Sequence, residues 1–200
     1  MFETLNHTLF AMINAPESTG PQAIGLAKFM AKDLLYLLAL GMLLGWLRGT
    51  ETTRRALFYG GMAALIGLAT NQIIHQLWPH PRPFAAGVGT QFLEHVTDTS
   101  FPSDHGTIMF SVACALLLSR GGGKLGAVAM LAALATAWAR VFLGVHWPMD
   151  MAGAFGVSLV SALLVTRIFP RLSEAAFTAA LLVYRWILAR LHLPIGMFPR

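Results

Sequence analysis

Residues 34–47 read LLYLLALGMLLGWL, an apolar run without a single charged side chain. The whole chain has this character, since 56% of its 200 residues are hydrophobic and only 12% are charged. Soluble domains are typically about 25% charged. A mean hydropathy of +0.63 therefore excludes a disordered chain, a secreted disulfide scaffold and a soluble globular domain. The sequence predicts an integral membrane protein built from several helices.

The apolar runs are separated by short polar segments, without an internal repeat. Residues 1–15 are weakly amphipathic and predict a helix in the membrane interface. The final run carries two arginines, so it either spans the membrane or lies in the interface. The expected fold is an all-α, polytopic helical bundle of five to six transmembrane helices, forming a single domain over residues 1–200. The predicted helices cover residues 23–47, 56–78, 103–119, 125–143, 148–167 and 174–191.

The net charge of +5 would suggest nucleic acid in a soluble protein, but here the basic residues mark one side of the membrane. The loops 79–102 and 143–148 contain Arg82 as their only Lys or Arg. The positive-inside rule therefore predicts that both loops lie outside the cytoplasm. Cys114 has no cysteine partner, and the N-terminus lacks the basic start of a signal peptide. The basic residues of the opposite connections are Arg48, Arg54, Arg55, Arg120, Lys124, Arg167 and Arg171.

Three polar clusters, within residues 80–84, 101–106 and 140–150, stand out against this background. Arg82 and Arg140 offer planar guanidinium groups suited to bidentate contact with a phosphate. Ser103 is expected to cap a helix, which places His105 in its first turn, where free backbone N–H groups favour anions.

Pro148 predicts the start of another helix, with His146 just before it. Asp150 follows four residues after His146, so its carboxylate can reach and orient the imidazole. Two histidines, two arginines, an acid and a helix N-terminus are the groups that phosphoryl transfer through a phosphohistidine requires.

Simpler interpretations remain open. Arginines at membrane edges often serve as anchors, and an interfacial histidine is often merely a satisfied polar residue. Seven histidines could instead bind metal or haem in a transport or binding protein, although no HExxH or CxxC spacing occurs. No metal or cofactor is therefore predicted. Glu94 and Asp98 are expected to be solvated, with a role in substrate access as the alternative. Three histidines are expected to be structural: His7, His95 and His192.

The order Arg82-Pro83, Pro102-Ser103-Asp104-His105 and Arg140…His146…Asp150 resembles the type 2 phosphatidic acid phosphatase (PAP2) superfamily. Five further segments are similar to the bacitracin-resistance branch of undecaprenyl pyrophosphate phosphatases. They cover nearly the whole chain except about the last 30 residues. These segments are the NxxLF start, AKDL, HPRPF, FPSDHGT and GVHWPMD.

The resemblance implies a PAP2-like enzyme that hydrolyses undecaprenyl diphosphate to undecaprenyl phosphate and inorganic phosphate. The reaction would take place at the periplasmic face of the bacterial inner membrane, recycling the lipid carrier for cell-wall synthesis and conferring bacitracin resistance. A broader lipid phosphatase, acting on phosphatidylglycerol phosphate or phosphatidic acid, is the alternative. The expected partners are the polyprenyl diphosphate and membrane lipids, not nucleic acid, and the oligomeric state stays open.

The resemblance also implies roles for individual residues. His146 would be the nucleophile, Asp150 its orienting partner and His105 the acid and base. Three positions depart from the broad superfamily pattern: His75 replaces a Lys, Asp104 a Gly and Ala139 a Ser. Lys32 is the predicted substitute for the missing lysine. The predicted substrate-binding residues are Arg82, Ser103, Asp104, Arg140, His75 and Lys32.

Overall fold

The computed structural model describes residues 2–190, and every regular element within that range is helical. Two of the helices contain a π-helical turn, at Phe29–Asp33 and at Leu164–Ile168. The predicted all-α architecture is confirmed. The helices are α1 (Phe2–Ile13), α2 (Pro21–Arg48), α3 (Glu51–Leu77), α4 (Asp104–Leu118), α5 (Gly123–Phe142), α6 (Pro148–Ile168) and α7 (Pro170–Arg190).

Five helices are long and apolar enough to cross a membrane, namely α2, α3, α5, α6 and α7. The sequence left open whether the last helix, α7, spans the membrane, and in the structure it is 21 residues long. Helix α4 has only 15 residues, which is about 22 Å against a hydrocarbon core of about 30 Å. It lies inside the bundle against α3, α5 and α6, so its length need not match the bilayer.

Close helix packing around α4 depends on small residues. A Cβ atom at Gly67 would come within 2.7 Å of Thr107 Cγ2 and 3.1 Å of Ser111 Oγ. On the other side of α4, a Cβ at Gly106 would lie 3.0 Å from the Cβ of Ala154. Small residues let helix backbones approach closely in membranes, where packing rather than water exclusion drives association. The bundle therefore closes tightly around the helix that begins at the Ser103 cap.

At one end of the bundle, charged side chains tie the helices together. Arg54 of α3 is buried and donates to the Trp46 and Leu47 carbonyl oxygens at the end of α2, over 2.7 and 3.3 Å. Arg55 pairs with Glu174 of α7 at 3.0 Å. Both arginines belong to the set that predicted the cytoplasmic side. Arg54 satisfies carbonyl groups at the end of α2, and Arg55 holds α7 against α3.

At the opposite end, the segment 78–103 and the turn 143–147 meet, as predicted. Phe92 N donates to the Leu143 carbonyl oxygen over 3.0 Å, and the indole of Trp147 donates to the Pro81 carbonyl oxygen over 2.9 Å. The irregular 78–103 segment therefore lies folded over the end of the bundle, where its side chains can reach the turn that carries His146.

Helix α1 packs against this same end. Asn14, just after α1, donates to the carbonyl oxygens of Thr90 and Phe142 over 3.0 and 3.1 Å. The ring of His7 lies 4.5 Å from that of Trp147, which agrees with a structural role for this histidine. His192, also predicted to be structural, lies outside the described residues. At 12 residues α1 is too short to span, and its place in the membrane interface stays a prediction.

Candidate active site

His146 lies in the turn between α5 and α6 and is 2% exposed. The turn is tight because Gly144 has a φ of +78°, and a Cβ atom there would lie 2.2 Å from the Thr90 carbonyl oxygen. Only glycine combines this backbone conformation with so close an approach. The turn is thereby locked against the 78–103 segment, and the imidazole that follows it is held in one place.

Asp150, in the first turn of α6, binds the δ nitrogen of this imidazole. Its Oδ2 atom accepts from His146 Nδ1 over 3.0 Å and from the Trp147 backbone N–H over 2.7 Å. The hydroxyl of Ser100 donates to the same oxygen. Because Nδ1 carries the proton in this pairing, Nε2 keeps its lone pair. The arrangement predicted from the four-residue spacing leaves Nε2 chemically able to act as a nucleophile.

Three donors surround Nε2 of His146. Arg82 Nη1 lies 2.9 Å away, Arg140 Nη2 lies 3.3 Å away and Ser103 Oγ lies 3.3 Å away. All three donor residues are at most 5% exposed. Cationic and hydroxyl donors in a buried pocket are the groups that stabilise phosphoryl oxygens most strongly. A phosphoryl group bonded to Nε2 would place its oxygens among them.

The guanidinium of Arg82 is fixed by the 78–103 segment and the 143–147 turn. Its Nε donates to Asp98 Oδ1 over 2.7 Å, and its Nη1 donates to the Val145 carbonyl oxygen over 2.9 Å. Its Nη2 donates to the Thr99 carbonyl oxygen over 3.3 Å. A planar group held at three nitrogens is already oriented for a phosphate, so little entropy is lost on binding.

Arg140 is held by the π-helical turn of α2. Its Nη1 donates to the Ala31 carbonyl oxygen over 3.3 Å, and Thr136 donates to the neighbouring Met30 carbonyl oxygen over 3.0 Å. A π turn interrupts the regular hydrogen-bond ladder, which is why such turns often occur at functional sites. The buried Nε of Arg140 has no hydrogen-bond partner among the described residues, which suits a site for an anion.

Helix α4 begins at the site. Ser103 caps it, since its Oγ accepts from Gly106 N over 3.3 Å. The predicted cap is thus confirmed, and it places His105 in the first turn. Asp104 points its carboxylate to Asn71 of α3, whose side-chain nitrogen donates over 2.7 Å. His105 itself lines the cavity in front of His146.

This cavity has a volume of about 470 Å³, and its wall is mostly polar. Burial and then the positive charges of Arg140 and Arg82 hold the pKa of His146 well below its usual 6.5. At neutral pH the imidazole is therefore uncharged, as a nucleophile must be. The side chains that line the cavity come from residues Gln72, His75, Arg82, His95, Asp98, Thr99, Pro102, Asp104, His105, Arg140 and His146.

All the predicted site residues except Lys32 meet in or beside this cavity. His75 lines it and donates from Nε2 to the Pro102 carbonyl oxygen over 3.0 Å. Lys32 is exposed and lines a separate cavity with Lys28 and Glu94. The physical reason is that the π turn brings the carbonyl of Ala31, and not the Lys32 side chain, to Arg140. Lys32 therefore lines a neighbouring cavity rather than the one in front of His146, although its positive charge still acts on His105.

Three site residues were missed from the sequence. Ser100 binds the Asp150 carboxylate. His95, predicted to be structural, lines the cavity with its ring centre 6.1 Å from that of His146. Asp98, predicted to be solvated, forms an ion pair with Arg82. The Asp98 side chain is 53% exposed, as predicted, and it also pairs with Arg82. The loop folds back over the site and so brings His95 and Asp98 to it, and only the unusual length of the loop signalled a function.

The PAP2 superfamily model matches residues 55–174 of the chain. The chain belongs to the PAP2 superfamily. Within this superfamily it is 40% identical over 163 residues to YbjG of Escherichia coli (strain K12), a candidate undecaprenyl-diphosphatase by name, covering 82% of each chain.

Undecaprenyl-diphosphatase BcrC of Bacillus subtilis (strain 168) is 29% identical over 170 residues, covering 85% of each chain. Among solved structures, LpxE of Aquifex aeolicus superposes with a TM-score of 0.65 at 21% identity. That match covers 80% of this chain and 93% of LpxE. At this identity the superposition shows that the PAP2 bundle is shared, which confirms the predicted fold.

Proposed function

We propose that this protein is an undecaprenyl-diphosphate phosphatase that works as one membrane domain. It hydrolyses the terminal phosphoanhydride bond of undecaprenyl diphosphate, releasing undecaprenyl phosphate and inorganic phosphate. The relatives named above support the substrate. The observation that carries the chemistry is the environment of His146 Nε2, which carries no proton and has three buried donors around it.

In the first step, Nε2 of His146 attacks the terminal phosphorus. A P–N bond forms, and the bond from phosphorus to the bridging oxygen breaks, so undecaprenyl phosphate leaves with that electron pair. Arg82, Arg140 and Ser103 stabilise the charge on the transferred oxygens. The ring becomes cationic as it is phosphorylated, and the Asp150 carboxylate at Nδ1 stabilises that positive charge.

His105 lies on the α4 side of the cavity and is the acid for the leaving group. A phosphate leaving group is far less basic than an alkoxide, so a diphosphate needs less protonation than a lipid monoester does. Two arginines supply the positive charge that Mg²⁺ supplies in kinases. Water then hydrolyses the phosphohistidine and releases inorganic phosphate, which returns His146 to its starting state.

The site faces the periplasm of a bacterial inner membrane in this proposal. The basic residues at the other end of the bundle, among them Arg48, Arg120 and Arg171, support that orientation through the positive-inside rule. Hydrolysis there returns the lipid carrier for a further round of cell-wall synthesis. We expect raised levels of the protein to increase resistance to bacitracin.

The test is phosphate release by the purified protein from undecaprenyl diphosphate, compared with phosphatidylglycerol phosphate and phosphatidic acid. His146→Ala should abolish release, whereas His80→Ala should retain it. His80 is a matched control because it lies in the same loop but its side chain lines a different cavity, together with Trp78 and Phe101. Unchanged activity of His146→Ala would contradict the nucleophile, and preference for the monoesters would favour the broader lipid phosphatase.

A further inference from the structure

The site contains a second histidine–aspartate pair, formed by His95 and Asp98. Nδ1 of His95 lies 3.1 Å from the Val96 carbonyl oxygen and 3.8 Å from Asp98 Oδ1. A carbonyl oxygen can only accept, so Nδ1 carries the proton and Nε2 keeps a lone pair. His95 therefore has the same tautomer as His146, with a carboxylate on the same side of its ring.

This second pair belongs to the same cavity as the first. The rings of His95 and His146 have centres 6.1 Å apart and planes at 77°. Arg82 joins the two pairs directly, since its Nε donates to Asp98 over 2.7 Å and its Nη1 donates to His146 Nε2 over 2.9 Å. The His95 side chain is 20% exposed, so it borders both the reaction cavity and the aqueous solvent.

His105, the other imidazole on the cavity wall, has no such carboxylate beside its ring. Within residues 2–190 no hydrogen bond or ion pair joins its ring to a carboxylate. Its neighbour Asp104 is bound to Asn71 instead. A proton on His105 lies close to Arg82 and Arg140 without an anion beside it, so this ring is better suited to donate a proton in the first step than to accept one in the second.

We propose that His95 is the general base of the second step and that Asp98 positions it. The inference rests on the phosphohistidine route proposed above. Water attacks the phosphorus, so an O–P bond forms while the P–Nε2 bond to His146 breaks and its electron pair returns to Nε2. The proton of the water passes to Nε2 of His95 and from there to solvent.

The electrostatics of the cavity suit this role. Burial, followed by the positive charge of Arg82, lowers the pKa of His95 below 6.5, with Arg140 acting in the same direction and Asp98 against it. His95 is thus neutral at neutral pH and ready to accept a proton. Asp98 then stabilises the imidazolium, and the ion pair of Asp98 with Arg82 keeps it within reach.

The experiment measures phosphoenzyme formation and decay separately, in rapid-quench single-turnover reactions with undecaprenyl diphosphate labelled on the terminal phosphate. His95→Gln should form the phosphoenzyme at the wild-type rate but hydrolyse it about 100-fold or more slowly, the usual contribution of a general base. The phosphoenzyme should therefore accumulate in the steady state. In His95→Ala, added imidazole should restore the decay rate, and Asp98→Asn should slow decay by a smaller factor.

His80→Gln is the matched control, and both of its rates should be those of wild type. Decay at the wild-type rate in His95→Gln would overturn the base assignment, as would equal losses in both steps or failure of imidazole to rescue His95→Ala. Wild-type protein that turns over without forming a phosphoenzyme would overturn the phosphohistidine route together with its base. The missing phosphoenzyme is observed in the wild type alone, whereas the base assignment is tested in the His95 variants. Failure of the phosphohistidine route can therefore be distinguished from failure of the base assignment.

Discussion

The bond between Asp150 and His146 allows a quantitative prediction for Asp150→Asn. The wild-type Oδ2 accepts from His146 Nδ1, from Trp147 N and from the Ser100 hydroxyl. Two of these three donors, the Trp147 N–H and the Ser100 hydroxyl, do not belong to the imidazole, so they should keep the amide oxygen of asparagine at the Oδ2 position. The imidazole then retains its tautomer, and the variant loses mainly the negative charge.

A hydrogen bond to a charged group contributes about 1.5–3 kcal/mol, which corresponds to a loss of about 10- to 150-fold in kcat. The wrong tautomer would cost far more, about 10⁴-fold as in serine proteases. The size of the loss in kcat thus distinguishes a variant that has lost only the negative charge from one in which the imidazole has the wrong tautomer. KM should change little, because Asp150 contacts the imidazole and not the substrate.

The assay is steady-state phosphate release from undecaprenyl diphosphate, with the melting temperature in detergent measured in parallel. Ser100→Ala is the matched control, since it removes one neutral donor and leaves the carboxylate charge in place. It should lose less than Asp150→Asn. A loss below about threefold in Asp150→Asn, at an unchanged melting temperature, would refute the role given to the carboxylate.

Three further predictions follow from the same site. Because the pKa of His146 lies well below 6.5, its protonation should not lower kcat/KM at pH 7, and kcat/KM should fall only in more acidic solution. A decline in kcat/KM with a midpoint at or above pH 7 would contradict this. Activity should survive EDTA, because Arg82 and Arg140 supply the positive charge, and strict dependence on a divalent metal would contradict that. His105→Ala should slow phosphoenzyme formation less for undecaprenyl diphosphate than for a lipid monoester, since the phosphate leaving group is less basic; equal losses would refute the asymmetry.

The residues at helix termini could be predicted from the sequence because helix ends carry local signals. The cap at Ser103 and the proline at 148 fix where two helices begin, and the four-residue spacing to Asp150 then fixes its contact with His146. These are short-range rules, so they need no knowledge of the tertiary structure. The apolar runs similarly predicted the helices.

Contacts made by the long loop could not be predicted in this way. Ser100 and His95 reach the site only because the 78–103 segment folds back over the bundle end, and local sequence carries no signal for that path. The π turn at Phe29–Asp33 has no local sequence signal, so the hydrogen bond from Arg140 to the Ala31 carbonyl oxygen could not be predicted either. Hydropathy does not distinguish lipid from protein surroundings, which is why α4 seemed to be an ordinary span.

The measurement that tests the central claim most directly is mass-spectrometric mapping of the quenched enzyme during turnover of undecaprenyl diphosphate. We predict an acid-labile phosphoryl group on Nε2 of His146, formed and lost at rates that account for kcat, and absent from His146→Ala. A phosphoryl group on another residue, or turnover at the wild-type rate in His146→Ala, would contradict the account.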